Sequence, residues 1–126
     1  MKKLLLSCSL ALAIGANAQF TQSFDAGTTT PTGWTVLNTD GGANAFVFGA
    51  VPSGGTVTAA QSGANVARIT YEPAAHNDYL VTPAITVTAG VNDRFSFYVA
   101  SYSASFTENY NVMLSTTTPT AAAFTT

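Results

Sequence analysis

The chain has 126 residues, of which 47% are hydrophobic and only 8% charged, and its formal net charge is −2. Two of its four basic residues, Lys2 and Lys3, stand at the extreme N-terminus, so the rest has no basic patch to neutralise phosphates. That balance excludes nucleic-acid and anionic-membrane binding on electrostatic grounds.

Residues 1–18 read as a secretory signal peptide. Lys2-Lys3 forms a basic start, Leu4 to Ile14 an apolar core, and Ala16-Asn17-Ala18 a small-x-small cleavage site. The apolar run is too short to span a bilayer as a helix, so no membrane insertion is expected after cleavage. Cys8, the one cysteine, falls in this segment. Leu5-Leu6-Ser7-Cys8 loosely resembles a lipidation box, but the apolar run before Ser7 is unusually short for one. Removal of residues 1–18 leaves 108 residues with Arg68 and Arg94 against six carboxylates, a net charge of −4 and no thiol. An exported domain without disulfides relies on its apolar core or on a bound ion.

Residues 19–126 read as one β-rich domain. Phe20, Gln22 and Phe24 alternate along a short first strand, ended by Asp25-Ala26-Gly27. Pro31-Thr32-Gly33 is turn chemistry, and Trp34 to Leu37 fits a pleated, half-buried surface. Trp34, the only tryptophan, reads as a packing anchor rather than a ligand platform. Asn38 to Gly42 turns the chain again before Phe46-Val47-Phe48. Gly49 to Gly63 reads as a surface loop around a small Thr56-Val57-Thr58 strand.

Asn65 to Tyr71 alternates cleanly, with Arg68 marking the outward face. Glu72-Pro73 breaks it, and Ala74 to Asn77 forms a loop. Asp78 to Thr82 is the next strand, halted by Pro83, and Ile85 to Val87 follows. Arg94 to Tyr102 carries the longest strand signal, and Glu108 to Ser115 another, with Tyr110, Val112 and Leu114 on one face. No helix start signal precedes a 3.6-residue apolar period. About eight short strands between Gly, Pro, Asn and Ser turns predict an all-β antiparallel sandwich. Ala121 to Phe124 then opens a fresh apolar run that a closed sandwich does not need.

Three segments together resemble a family. SFDAGTTTPTGWTVLNTDGGANAF, NDYLVTPAI and RFSFYVASYSASFTENYNVMLSTT follow, in order and spacing, the pattern of the cleaved-adhesin domain, also seen in choice-of-anchor surface proteins of Bacteroidetes. Phe46 stands where that pattern often has Trp. The resemblance implies a jelly-roll β-sandwich related to MAM-type domains, carried by secreted or surface-anchored proteins. It also implies further strands after residue 118 and, in many members, a C-terminal sorting domain of the type IX secretion system. The chain is therefore expected to be an incomplete part of a larger surface protein, attached through that sorting domain.

Few residues point to chemistry. Asn38-Thr39-Asp40-Gly41 makes a tight acidic turn of the kind that offers oxygen to a hard cation, or merely closes an Asx turn. The resemblance implies structural calcium near the acidic residue of the first strand. Asp25 and Asp40 are thus the expected calcium ligands. His76, the only histidine, reads as a loop residue: one imidazole builds no zinc site without cysteine or a set of carboxylates. No GxSxG or Gly-rich oxyanion loop accompanies it, so no catalytic device is expected. Tyr102 and Phe106 flank a turn and are the aromatics best placed to stack on a sugar or other ligand. The expected role is a non-catalytic adhesion or binding module, secreted or on the cell surface, facing a host or environmental protein or glycan. The alternatives are a carbohydrate-binding accessory module of a degradative enzyme and a structural spacer.

Overall fold

The structure, a computed structural model, describes residues 20–106 and 108–125. The expected signal peptide, residues 1–18, lies outside the described residues. The fold is β-rich and antiparallel, with four short strands in two sheets among the described residues, an arrangement consistent with a β-sandwich. Strands β1 (Thr35–Asn38) and β4 (Asp78–Val81) form one sheet; β2 (Val47–Ala50) and β3 (Asn65–Arg68) form the other. In the first, Thr35 lies opposite Val81 and Asn38 opposite Asp78. In the second, Val47 lies opposite Arg68 and Ala50 opposite Asn65.

The two sheets meet through aromatic rings. Phe24 sets its edge on Trp34 at 5.2 Å, just ahead of β1, and reaches Phe48 of β2 at 5.5 Å. Phe20 stacks on the Trp34 ring at 6.1 Å. Trp34 is thus the packing anchor expected of it. Phe48 and Val81, one from each sheet, are the buried apolar side chains. Phe24 has a φ of +66°, unusual for a residue with a Cβ. Its N–H donates to Gln22 Oε1 at 2.7 Å. Two aromatic contacts, each worth about 0.5–1.5 kcal/mol beyond area burial, offset that strain. The first strand expected around Phe24 is therefore a kinked segment.

Turn chemistry places β1. Trp34 N–H donates to the Pro31 carbonyl at 3.0 Å, and Gly33 sits at φ +82° in the third position of that turn. Only glycine takes this φ without cost. A Cβ on Gly33 would also press to 3.1 Å from the Pro83 ring, just past β4.

The sequence predicts more strands than are paired. Residues 56–58, 85–87 and 94–102 join no ladder, and of 108–115 only Leu114 pairs, in a single antiparallel bridge to Thr125. Alternation reports which side chains want burial, whereas a strand also needs a neighbour to take its N–H and C=O groups. Phe95, Phe97, Val99, Tyr110 and Val112 accordingly lie exposed. The apolar run at the C-terminal side folds into a short 3-10 turn, Ala121–Ala123, which brings Phe124 onto Tyr79 of β4, stacked at 5.7 Å. Among the described residues no helix is long and apolar enough to cross a membrane.

Candidate functional site

The densest chemistry lies where β1 ends and β4 begins. Asn38 and Asp78 are register partners there, so the turn after β1 meets the loop entering β4. Thr39 N–H donates to the Asn77 carbonyl at 3.3 Å, and its hydroxyl donates to the same oxygen. Asn38 Oδ1 accepts the Gly41 N–H at 2.8 Å, and its amide donates to the Gly42 carbonyl at 2.9 Å. Gly41 takes φ +70° to close this turn.

Inside that frame the Asp40 carboxylate accepts Gly42 N–H on Oδ1 at 2.8 Å and Asn77 N–H on Oδ2 at 2.6 Å. Those two donors, Gly42 first, hold its pKa below the ordinary 3.8 against a burial penalty, with help from the His76 charge. The Asx turn expected of Asp40 is present, and it spans to Gly42 rather than Gly41.

Three more titratable groups converge on Asp40. Glu72 comes from the β3–β4 loop, and its Oε2 accepts the Ala43 and Asn44 N–H groups at 3.1 and 3.3 Å. Asn44 in turn donates its side-chain amide to the Tyr71 carbonyl at 3.1 Å. Gly42 has no Cβ because one would collide with the Glu72 carboxylate. His76 lies one helical turn's spacing after Glu72, with Nδ1 3.3 Å from Glu72 Oε1 and 2.8 Å from Asp78 Oδ2. Its Nε2–H donates to the Thr70 carbonyl at 3.0 Å. One ligand atom from each of Asp40, Glu72, His76 and Asp78 lies within 4.8 Å of all the others.

The electrostatics follow from the placement. Burial works to lower the His76 pKa, but the Asp78 hydrogen bond, the Thr70 carbonyl and the Glu72 and Asp78 charges lift it above the ordinary 6.5. The Asp78 side chain is 1% exposed and that of Glu72 8%. Asp78 Oδ1 and Glu72 Oε1 are buried without a hydrogen-bond partner among the described residues. The arrangement holds a positive charge between three carboxylates, either a proton on the imidazole or a metal ion.

Asp25 has a different setting. Its Oδ1 accepts the N–H groups of Ala64 and Asn65, at 2.7 and 2.9 Å, at the start of β3. These two donors, Ala64 first, then Asn65, lower its pKa from 3.8 against a burial penalty, with Ser23 assisting. Gly63 sits at φ +64° with the Asp25 carboxylate packed where its Cβ would be. The structure thus does not bring Asp25 and Asp40 together: each serves the end of a different sheet. Glu72, His76 and Asp78 were not expected at a site. The Glu-x-x-x-His-x-Asp spacing was the available signal, and it acquires meaning only once β1 pairs with β4.

Tyr102 and Phe106 flank their turn as expected. Tyr102, 43% exposed, lies over Gly54 and Gly55 and donates its hydroxyl to the Ser53 carbonyl. Its own carbonyl accepts Thr56 N–H at 2.9 Å. With Gly54, Gly55, Thr56 and Ser103 it lines a shallow open depression. Phe106 is 70% exposed and is not among the residues lining that depression.

No curated protein and no solved structure matches the chain. A family model does, over residues 18–126, which takes in every strand and the whole acidic cluster described above. The chain belongs to the Cleaved Adhesin Domain family.

Proposed function

We propose that the chain is a non-catalytic adhesion or binding module, displayed outside the cell, that recognises a protein or glycan by surface contacts. Family membership suggests an adhesion-type, secreted or surface role without catalysis. The observation that carries the reading further is the run of exposed apolar side chains between Phe95 and Leu114. There Phe95 lies 5.6 Å from Phe97, and Phe97 meets Tyr110 edge-on at 6.1 Å. Exposed apolar surface of this extent marks an interaction site on a folded protein. Export through the signal peptide and attachment by a type IX sorting domain belong to the same proposal, as does calcium stiffening the loop at Asp25.

The test is binding of the purified chain to immobilised extracellular-matrix proteins and to a glycan array. Saturable binding to a protein, lost on Phe95→Ser, supports the module. No saturable binding on either surface supports the structural spacer. A carbohydrate-binding role is favoured by one observation, the Tyr102 depression bordered by Thr56 and Ser103, where a ring and hydroxyls stand together. Glycan binding that falls at least tenfold in Tyr102→Ala selects that reading.

A further inference from the structure

Two buried carboxylate oxygens in the cluster at the β1–β4 end are without a donor among the described residues. A buried acceptor left unpaired costs about 1–3 kcal/mol, and more when charged. Asp78 Oδ1 and Glu72 Oε1 are both in that condition, on side chains 1% and 8% exposed. The backbone amides near them are already engaged with Asp40 and with Glu72 Oε2. We propose that Asp40, Glu72, His76 and Asp78 form a binding site for one divalent transition-metal ion of the zinc class.

The second layer of contacts fits a ligand set. Metal-bound histidines nearly always donate their other ring N–H to a carbonyl or carboxylate, which fixes the tautomer. His76 Nε2–H does this to Thr70, so an ion that displaces the proton shared by Nδ1 and Asp78 Oδ2 meets the Nδ1 lone pair. That nitrogen faces Asp78 Oδ2 at 2.8 Å and Glu72 Oε1 at 3.3 Å. Three electron-rich atoms at such separations need a positive charge among them, a place that an ion takes over from the Nδ1 proton. Zinc–nitrogen and zinc–oxygen bonds of about 2.0–2.2 Å place neighbouring ligands roughly 3.3 Å apart, so the 2.8 Å pair opens slightly and the atoms lying up to 4.8 Å apart draw in. Both Asp40 oxygens and Glu72 Oε2 accept backbone N–H groups, each with lone-pair capacity to spare, which aims the carboxylates before any ion arrives.

The imidazole decides the class of ion. Calcium and magnesium take oxygen from carboxylates, carbonyls and water, whereas imidazole nitrogen suits zinc, copper, nickel and iron. The site is independent of what the module binds, and its role is to staple three segments: the turn after β1, the β3–β4 loop and the first residue of β4.

The experiment uses the full chain, tag-free and labelled with nitrogen-15. His76 is the only histidine, so its two ring-nitrogen signals are assigned without further variants. Equimolar Zn2+ is expected to move the Nδ1 signal while Nε2 keeps its N–H character. Equilibrium dialysis should show one bound Zn2+, with affinity reduced about tenfold or more in Asp40→Asn and in His76→Gln. Asp40 is exposed, so its variant tests the site even if changes at buried Asp78 unfold the chain. Ca2+ at the same concentration should leave both ring signals in place. An unmoved Nδ1 under Zn2+, equal Zn2+ affinity in His76→Gln, or displacement of Zn2+ by equimolar Ca2+ would each overturn the assignment.

Discussion

The ends of the two sheets carry acidic residues that look alike in the sequence and behave differently in the fold. At the β2–β3 end, Asp25 is one carboxylate with two backbone donors on a single oxygen, and it closes a loop. At the β1–β4 end, Asp40 also accepts two backbone amides, yet it stands among Glu72, His76 and Asp78. The first is a capping interaction with no buried carboxylate oxygen left unpartnered. The second leaves buried oxygens without partners. An acid next to a glycine turn therefore says little about ion binding until its non-local neighbours are known.

The comparison can be broken at its glycines. Gly63→Ala is expected to have the largest effect, about 2–3 kcal/mol by urea denaturation. It forces a side chain into φ +64° and drives the Asp25 carboxylate off its donors. A wild-type midpoint would show that the Asp25 loop is not built as described. Gly42→Ala comes next, about 1–2 kcal/mol, because Gly42 has ordinary φ and the cost comes only from displacing Glu72. If Glu72 matters only to an ion, this loss should appear in zinc and shrink in a chelator.

The smallest expected effect is in the pH profile. The folded pKa of Asp25 lies below its ordinary 3.8, so the charged form is favoured by folding. Its contribution is full above the unfolded pKa and is lost as pH falls through the lower folded value. Asp25→Asn should lower stability by a constant amount above about pH 4 and remove this group's share of the fall below it, so the two curves converge at low pH. An unchanged acid limb would mean that the Ala64 and Asn65 contacts carry no preference for the ionised carboxylate.

Local chemistry was the legible part. Pleat-fitting residues around Val36, alternation around Val66 and the run that Pro83 halts mark β1, β3 and β4, and Phe46 to Phe48 announces β2 one residue early. Trp34 was readable as an anchor because a large ring beside a turn has few other uses. The acidic cluster was not, since Asp40 and Glu72 are far apart in the chain and meet only through the Asn38–Asp78 register. His76 reads as idle for the same reason: in the sequence its carboxylate partners fall in a strand, at Asp78, and at a strand break, at Glu72. The Arg94 to Tyr102 segment failed in the opposite direction. Its pattern is strong, but pairing depends on a neighbour that side-chain alternation does not identify.

The turn of Gly33 against Pro83 has a consequence for the β1–β4 ribbon as a whole. One extremity is keyed by a glycine that fits a proline ring, the other by the acids and imidazole around Asp78. A slip of one place would unseat both fastenings at once and rotate Val81 out of the interior. The ribbon is thereby held to a single alignment along its length, although each of its strands is only four residues long.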